Sequence, residues 1–325
     1  MTSRRHRPRQ DRDAMRRSAT LATAAVALCL ALPARAQEGP RPTLGGHRFV
    51  STDLIPDAFV RTYVRNSIGY SQTADFDYPP VVISGDTLLA LDGSLAYANF
   101  GMEYQHAIRD WIAVRVGLGL RTRLGTQASS ILSEGVSVNS GFEFGWLARI
   151  RQTQKTMLSG SLGVTSQNLT VIDVRQFTED VIDGVPDPSL IDDVPAVRSA
   201  VGLRFAWAVS RPVGVTLLLE GSYGGTPRRD EAESWEYGAG VSVDFDAGAA
   251  WDVPIGIALA YRQTSLPVVT TTDNGNVSET VLRLAYNGKP DFLIALDVMG
   301  VLDRENLEAD SVWAGGAAFS MRYYF

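Results

Sequence analysis

The chain has 325 residues, with 30 basic against 36 acidic side chains, three histidines, one cysteine and 45% hydrophobic residues. An acidic chain is a poor match for nucleic acid, whose binding rests on neutralised phosphates. The lone cysteine, Cys29, lies in an apolar run near the start, so the rest of the chain can supply neither a disulfide nor a thiolate site.

Residues 1–36 read as an export signal. Met15-Arg16-Arg17 gives a positive start, Leu21 to Leu32 an apolar run, and Ala34-Arg35-Ala36 a small-x-small cleavage pattern, so the mature chain would begin at Gln37. Met15 is a candidate true start, because residues before it are an arginine-rich stretch outside the pattern. The apolar run is too short to span a bilayer as a helix. Leu28 before Cys29 does not fit a lipoprotein cleavage box. Cleavage would remove eight arginines and two aspartates, leaving 22 bases against 34 acids and a net charge of −12.

Residues 37–57 carry no strand period and are expected to form a periplasmic N-terminal segment or a plug in a lumen. Ala58 to Tyr70 is the candidate first strand, followed by an external loop through Pro79-Pro80. The helical spacing of Ile55, Phe59 and Tyr63 leaves a lumen helix as the other reading of that stretch.

From residue 92 onward eleven segments alternate: 92–106, 110–124, 135–151, 154–170, 196–210, 212–225, 233–246, 251–264, 277–288, 290–302 and 311–325. In the second, Ile112, Val114, Val116, Leu118 and Leu120 share one face, and Ala113, Arg115, Gly117, Gly119, Arg121 and Arg123 the other. Soluble strands usually run about five or six residues, whereas a tilted strand needs about 9–11 to cross hydrocarbon. Length and period predict a transmembrane antiparallel up-and-down β-barrel of about 12 strands, with 10 or 14 as alternatives, apolar outward and polar inward. Tight turns near residues 107–109, 152–153, 211, 247–250 and 289 alternate with long connections, which puts short turns in the periplasm and long loops outside. Residues 58–325 would form the barrel.

Aromatic residues fall near segment ends. Tyr104, Trp207, Phe245, Trp251, Tyr323 and Phe325 would mark one interface, and Tyr223, Trp235, Tyr237, Tyr261 and Trp313 the other. The final stretch, Ala318 to Phe325, places Phe319, Met321, Tyr323 and Phe325 on one parity. It resembles the carboxy-terminal assembly signal of bacterial outer-membrane barrels: a final Phe, an aromatic third from the end, and alternating apolar residues before them. That resemblance implies outer-membrane localisation, with the barrel assembly machinery, lipid and lipopolysaccharide as partners.

Inward positions carry the candidate functional charges: Glu103, Arg115, Arg121, Arg123, Glu143, Arg204, Glu220, Glu236, Arg262, Arg283 and Asp297. Turn positions pair Glu103 with Arg115, Arg204 with Glu220, Glu236 with Arg262 and Arg283 with Asp297. Such pairs would either fill and stiffen a narrow barrel or line a water-filled constriction that selects solutes.

Catalysis finds little support. After the signal the histidines are His47 and His106. Neither sits where the outer-membrane phospholipase family, a twelve-strand precedent, would place a Ser/His site. The stretch Asp173 to Asp193 has seven acids and one base, Arg175, and reads as a solvated loop or a divalent-cation bridge to lipopolysaccharide. Gly117 and Gly119 lie within a strand, not a phosphate loop. No cofactor is called for. The expected function is an outer-membrane pore or transporter passing small solutes through a charge-lined barrel. A lateral-exit channel for hydrophobic molecules and a non-conducting structural or adhesion barrel are the alternatives.

Overall fold

The computed structural model describes residues 41–73, 76–83, 86–93, 95–126, 138–172, 182, 185, 191–225, 233–266, 275–304 and 312–325. The signal call on residues 1–36 lies outside them, as does nearly all of the acidic stretch 173–193.

Twelve antiparallel strands close into one barrel. They are β3 (Tyr63–Thr73), β6 (Leu95–Arg109), β7 (Ile112–Thr126), β8 (Val138–Gln152), β9 (Thr156–Ile172), β10 (Ile191–Ala208), β11 (Val213–Gly224), β12 (Ser234–Asp246), β13 (Ile255–Leu266), β14 (Gly275–Tyr286), β15 (Phe292–Arg304) and β16 (Val312–Tyr324). The last strand closes the wall by pairing with the first, Tyr324 opposite Tyr63 and Phe319 opposite Ile68. A closed wall leaves no exposed backbone edge, the condition for a sheet in hydrocarbon.

Two sequence expectations are corrected. The first strand begins at Tyr63, not Ala58, and the alternative of a lumen helix fails because residues 49–62 hold no regular secondary structure. Ala58, Phe59 and Val60 are buried in succession, so the chain there is enclosed on every side and neither a two-residue nor a helical period applies. The connection through Pro79-Pro80 is a second hairpin, β4 (Phe76–Ile83) with β5 (Asp86–Gly93), paired outside the barrel sheet.

Parity sorts the wall as the alternation requires. Along β16, Phe319, Met321 and Tyr323 are exposed on the outside, while Ser320, Arg322 and Tyr324 are buried inside. Leu203, Leu219, Leu259, Leu282 and Leu296 belong to the same exposed outer belt. Most of the named aromatics lie toward strand ends, with Trp235 stacked on Tyr237 at 6.1 Å and Tyr323 edge-on to Phe325 at 4.9 Å, whereas Tyr261 lies near the middle of β13. The Trp313 side chain lies outside the described residues.

Strands meet through short connections at one end. The longest of these contains the five-residue helix α1 (Ala247–Trp251), whose first turn is capped by the Asp246 carboxylate accepting from Gly248 N at 3.0 Å. The connections at the opposite end are longer. The two ends are called here the short-turn end and the long-loop end.

Candidate functional site

Before it joins the wall, the chain fills the short-turn half of the lumen. Arg41 enters beside Pro290, its N donating to that carbonyl at 2.7 Å. Residues 43–48 make a small hairpin, β1 (Thr43–Leu44) with β2 (His47–Arg48). The chain then rises to Asp53–Asp57 and descends to Tyr63. The wall makes room with small side chains. Leu44, Phe49 and Phe59 pack on Ala206 and Ala208, Val50 on Ala258, Ala285 and Ala295, and Val60 on Ala107 and Ala113. At Gly240 the approach is closest: a Cβ there would collide with Ile55 Cδ1. Burying these apolar groups stabilises the segment at about 25 cal/mol per Å² removed from water.

Polar groups of the segment are tied to the wall at both levels. Near the short-turn end the buried His47 ring meets Asp244 Oδ1 through Nε2 at 2.7 Å and the Arg211 carbonyl through Nδ1 at 3.0 Å. Val50 N donates to the same Asp244 oxygen at 3.1 Å. Arg41 donates to the carbonyls of Asn287 and Phe49, each at 3.2 Å, and Asn287 Nδ2 to Asp246 at 2.8 Å. On the way back, Ala58 O accepts from Ser159 Oγ at 2.6 Å and Phe59 O from Gln105 Nε2 at 2.8 Å.

The top of the segment is an ionic cluster. Asp53 accepts from Arg65 at 2.5 Å and from Arg283 at 2.9 Å. Arg283 also holds both Asp297 oxygens at 2.6 Å and the Ser51 carbonyl. Asp57 takes Arg322 at 2.8 Å and the Ser51 hydroxyl at 3.0 Å. Arg65 bridges on to Glu103 at 2.8 Å, which also accepts from the Tyr63 hydroxyl. Burial alone would raise the Asp53 carboxyl, but Arg65 and then Arg283 outweigh it and hold the group below the usual carboxylate range.

Above the cluster the lumen stays open as a vestibule toward the long-loop end. One cavity of about 340 Å³ is lined by six arginines and six carboxylates, among them Arg115, Glu143, Arg204, Glu220, Glu236 and Arg262. A second, of about 680 Å³, shares Asp53 and is lined by Ser67, Gln72, Asn99, Arg121 and Glu279. Arg121 Nε donates to Asn99 at 3.0 Å, and the guanidinium lies 5.6 Å from the Tyr97 ring centre. The Arg123 side chain lies outside the described residues.

Three of the four pairings read from turn positions are corrected. Gln105, not Glu103, stands opposite Arg115, so Glu103 binds Arg65, its direct partner on β3. Arg115 turns instead to Glu143 on β8. Glu220 stands opposite Gly238, which has no side chain to intervene, so Arg262 reaches across β12 to it. A Cβ on Gly238 would sit 3.2 Å from Glu220 Cγ. Glu236 binds Arg198 at 3.1 Å. Arg204 is left facing the internal segment, its Nη1 donating to the Asp57 carbonyl at 3.3 Å. Arg283 and Asp297 stand directly opposite each other.

Several residues of this site were not singled out by the sequence reading. Arg65, Arg198 and Arg322 occupy inward parity, and the two-residue period was their available signal. Asp53 and Asp57 had none, because irregular backbone carries no period, and His47 was weighed only as a catalytic residue. His106 lies near the short-turn end with Nδ1 at 3.3 Å from the Tyr104 hydroxyl. Arg149 pairs with Asp110 at 2.6 Å at the same end. Among the described residues no group of three or more His, Cys, Asp or Glu could hold a metal ion.

No protein-family model matches the chain, and no curated protein matches it by sequence. Solved structures do. An outer-membrane channel from Pseudomonas putida F1 superposes with a TM-score of 0.53 at 10% identity, over 86% of this chain and 100% of that one. The NanC porin aligns with a TM-score of 0.47 at 8% identity, over 81% and 100%. The toluene transporter TodX of Pseudomonas putida aligns at 0.44 and 9% identity, over 82% and 90%. At such identities the first of these shows a shared fold: this chain is a closed twelve-stranded antiparallel barrel, similar in fold to that protein.

Proposed function

We propose that the protein is an outer-membrane channel for small polar solutes, captured here with its lumen closed by residues 41–62. The short-turn end would face the periplasm and the long-loop end the exterior, as in bacterial barrels. The observation that carries the reading is the division of the lumen: a charged vestibule on one side of a segment that is held by side-chain contacts and joined to the wall covalently at Tyr63. A barrel whose interior served stiffness alone would have no use for a cavity beside its ion pairs. Solute entering the vestibule would pass when the Asp53–Asp57 apex withdraws from Arg65, Arg283 and Arg322.

Lateral exit of a hydrophobic molecule would need a parted strand pair. Every neighbouring pair around the wall is hydrogen-bonded among the described residues, which favours passage along the axis instead. Lipid and lipopolysaccharide would contact the outer apolar belt, and the assembly machinery would read Phe319, Met321, Tyr323 and Phe325.

Planar-bilayer recording tests the proposal. The purified protein should give rare, brief openings, and a variant lacking residues 41–57 should conduct steadily. Silence from both, with each well folded by the heat shift of its gel mobility, would sink the channel reading.

A further inference from the structure

The vestibule pairs its arginines with carboxylates, with one exception. Of the six arginines that line the 340 Å³ cavity, five have a carboxylate within ion-pair distance. Arg204 has none among the described residues. It is 5% exposed, its Nη1 reaches a backbone carbonyl, and its Nε is buried without any partner. An unpaired buried guanidinium is costly, and the fold has placed one beside an open, polar cavity. The acids that act on it are already committed: Asp57 to Arg322 and Glu143 to Arg115.

From this we infer that Arg204 is the binding group for an anionic guest, and that the solute class is small monocarboxylates. This rests on the channel reading above and names its cargo. A carboxylate matches the planar donor edge of a guanidinium, which can bind both of its oxygens at once. Six carboxylates line the cavity with the six arginines, but Arg65 takes two of them, so Arg204 is the guanidinium left for a guest carboxylate. A second carboxylate on the guest would meet arginines that are already neutralised, and beside them Glu143, Glu220 and Glu236 would repel it. A cavity of about 340 Å³, the share of about eleven waters, has room for a small organic acid. Arg204 sits at the apex of the internal segment, bonded to Asp57 O. A bound carboxylate would compete for that guanidinium and so loosen one tie of the closed state.

Calorimetric titration of the detergent-purified protein with propionate, propionamide, ethylammonium and succinate tests the class without a variant. Propionate should bind at least tenfold more tightly than each of the others. Equal binding of propionate and propionamide would overturn the inference, as would a preference for succinate. In Arg204→Gln propionate affinity should fall tenfold or more, and in Arg204→Lys it should be partly kept. Arg149→Gln, which removes a paired arginine at the short-turn end and outside the cavity, should leave it within about threefold. Unchanged affinity in a folded Arg204→Gln protein would also overturn it. Conductance recorded on the same preparations separates the two readings. Carboxylate binding by a barrel that stays silent even without residues 41–57 would end the channel reading and spare the site, whereas the expected openings with no carboxylate preference would do the reverse.

Discussion

Arg283 shows how single residues hold the lumen together. It is buried, it grips both oxygens of Asp297 at 2.6 Å, and it reaches Asp53 at 2.9 Å on the internal segment. Breaking one partner of a buried pair typically costs about 3–5 kcal/mol, because the other charge is stranded, while replacing both by apolar groups costs far less. Asp297→Leu should therefore lower stability, by less than that range because Arg283 keeps Asp53 as a partner. The double variant Arg283→Met/Asp297→Leu should recover most of it in urea unfolding followed by gel mobility. Equal losses in the single and double variants would mean the pair is not what stabilises this point. His47 makes the neighbouring case. Both ring nitrogens meet oxygen acceptors, so His47→Phe keeps the ring's volume yet removes one partner of the buried Asp244, at about 1–3 kcal/mol.

The internal segment, residues 41–62, fills the short-turn half of the lumen, and in the channel reading its position decides whether the barrel is open. Its fit against the wall is tightest at Gly240, where any side chain would displace Ile55. Gly240→Val should raise the open fraction in bilayer recordings while leaving the wall intact, and an unchanged record would show that the segment closes the lumen without that contact. Its ionic apex adds a pH dependence with a definite sign. Asp53 is held below its ordinary value of 3.8, so its contribution to closure is full above that pH and is lost as pH falls further. Openings should therefore increase below about pH 4 and not between pH 7 and 5. Little of this element was legible beforehand. Twelve strands and their facing residues followed from a period of two, which a closed wall with an apolar outside and a polar lumen imposes on every strand. The segment meets protein on all sides, and its contacts are chosen by the wall and not by its own pattern. Alanines at inward positions of the short-turn half, such as Ala206, Ala208, Ala258 and Ala260, were the available trace that something lies inside. The ion pairs failed for a related reason: hairpin geometry fixes neighbours, but glycines such as Gly238 let partners skip a strand.

At the scale of the whole molecule, the two surfaces of one sheet face two solvents, and substitution can tell them apart. Leu259, midway along β13, is exposed on the outer belt, while Thr264 on the same strand turns toward the lumen. In the membrane reading, an arginine at position 259 would stand in hydrocarbon, at a cost of about 2–4 kcal/mol near the bilayer midplane. An arginine at position 264 would stand in the watered vestibule and cost little. Leu259→Arg should thus lower the urea midpoint for unfolding from lipid vesicles strongly, and Thr264→Arg weakly. In a soluble barrel the order would change, because an exposed Leu259 would then face water and tolerate the charge. The comparison needs neither a known solute nor an open lumen. It tests the premise on which channel, closure and carboxylate site all rest: that the exposed leucines around this wall are exposed to lipid.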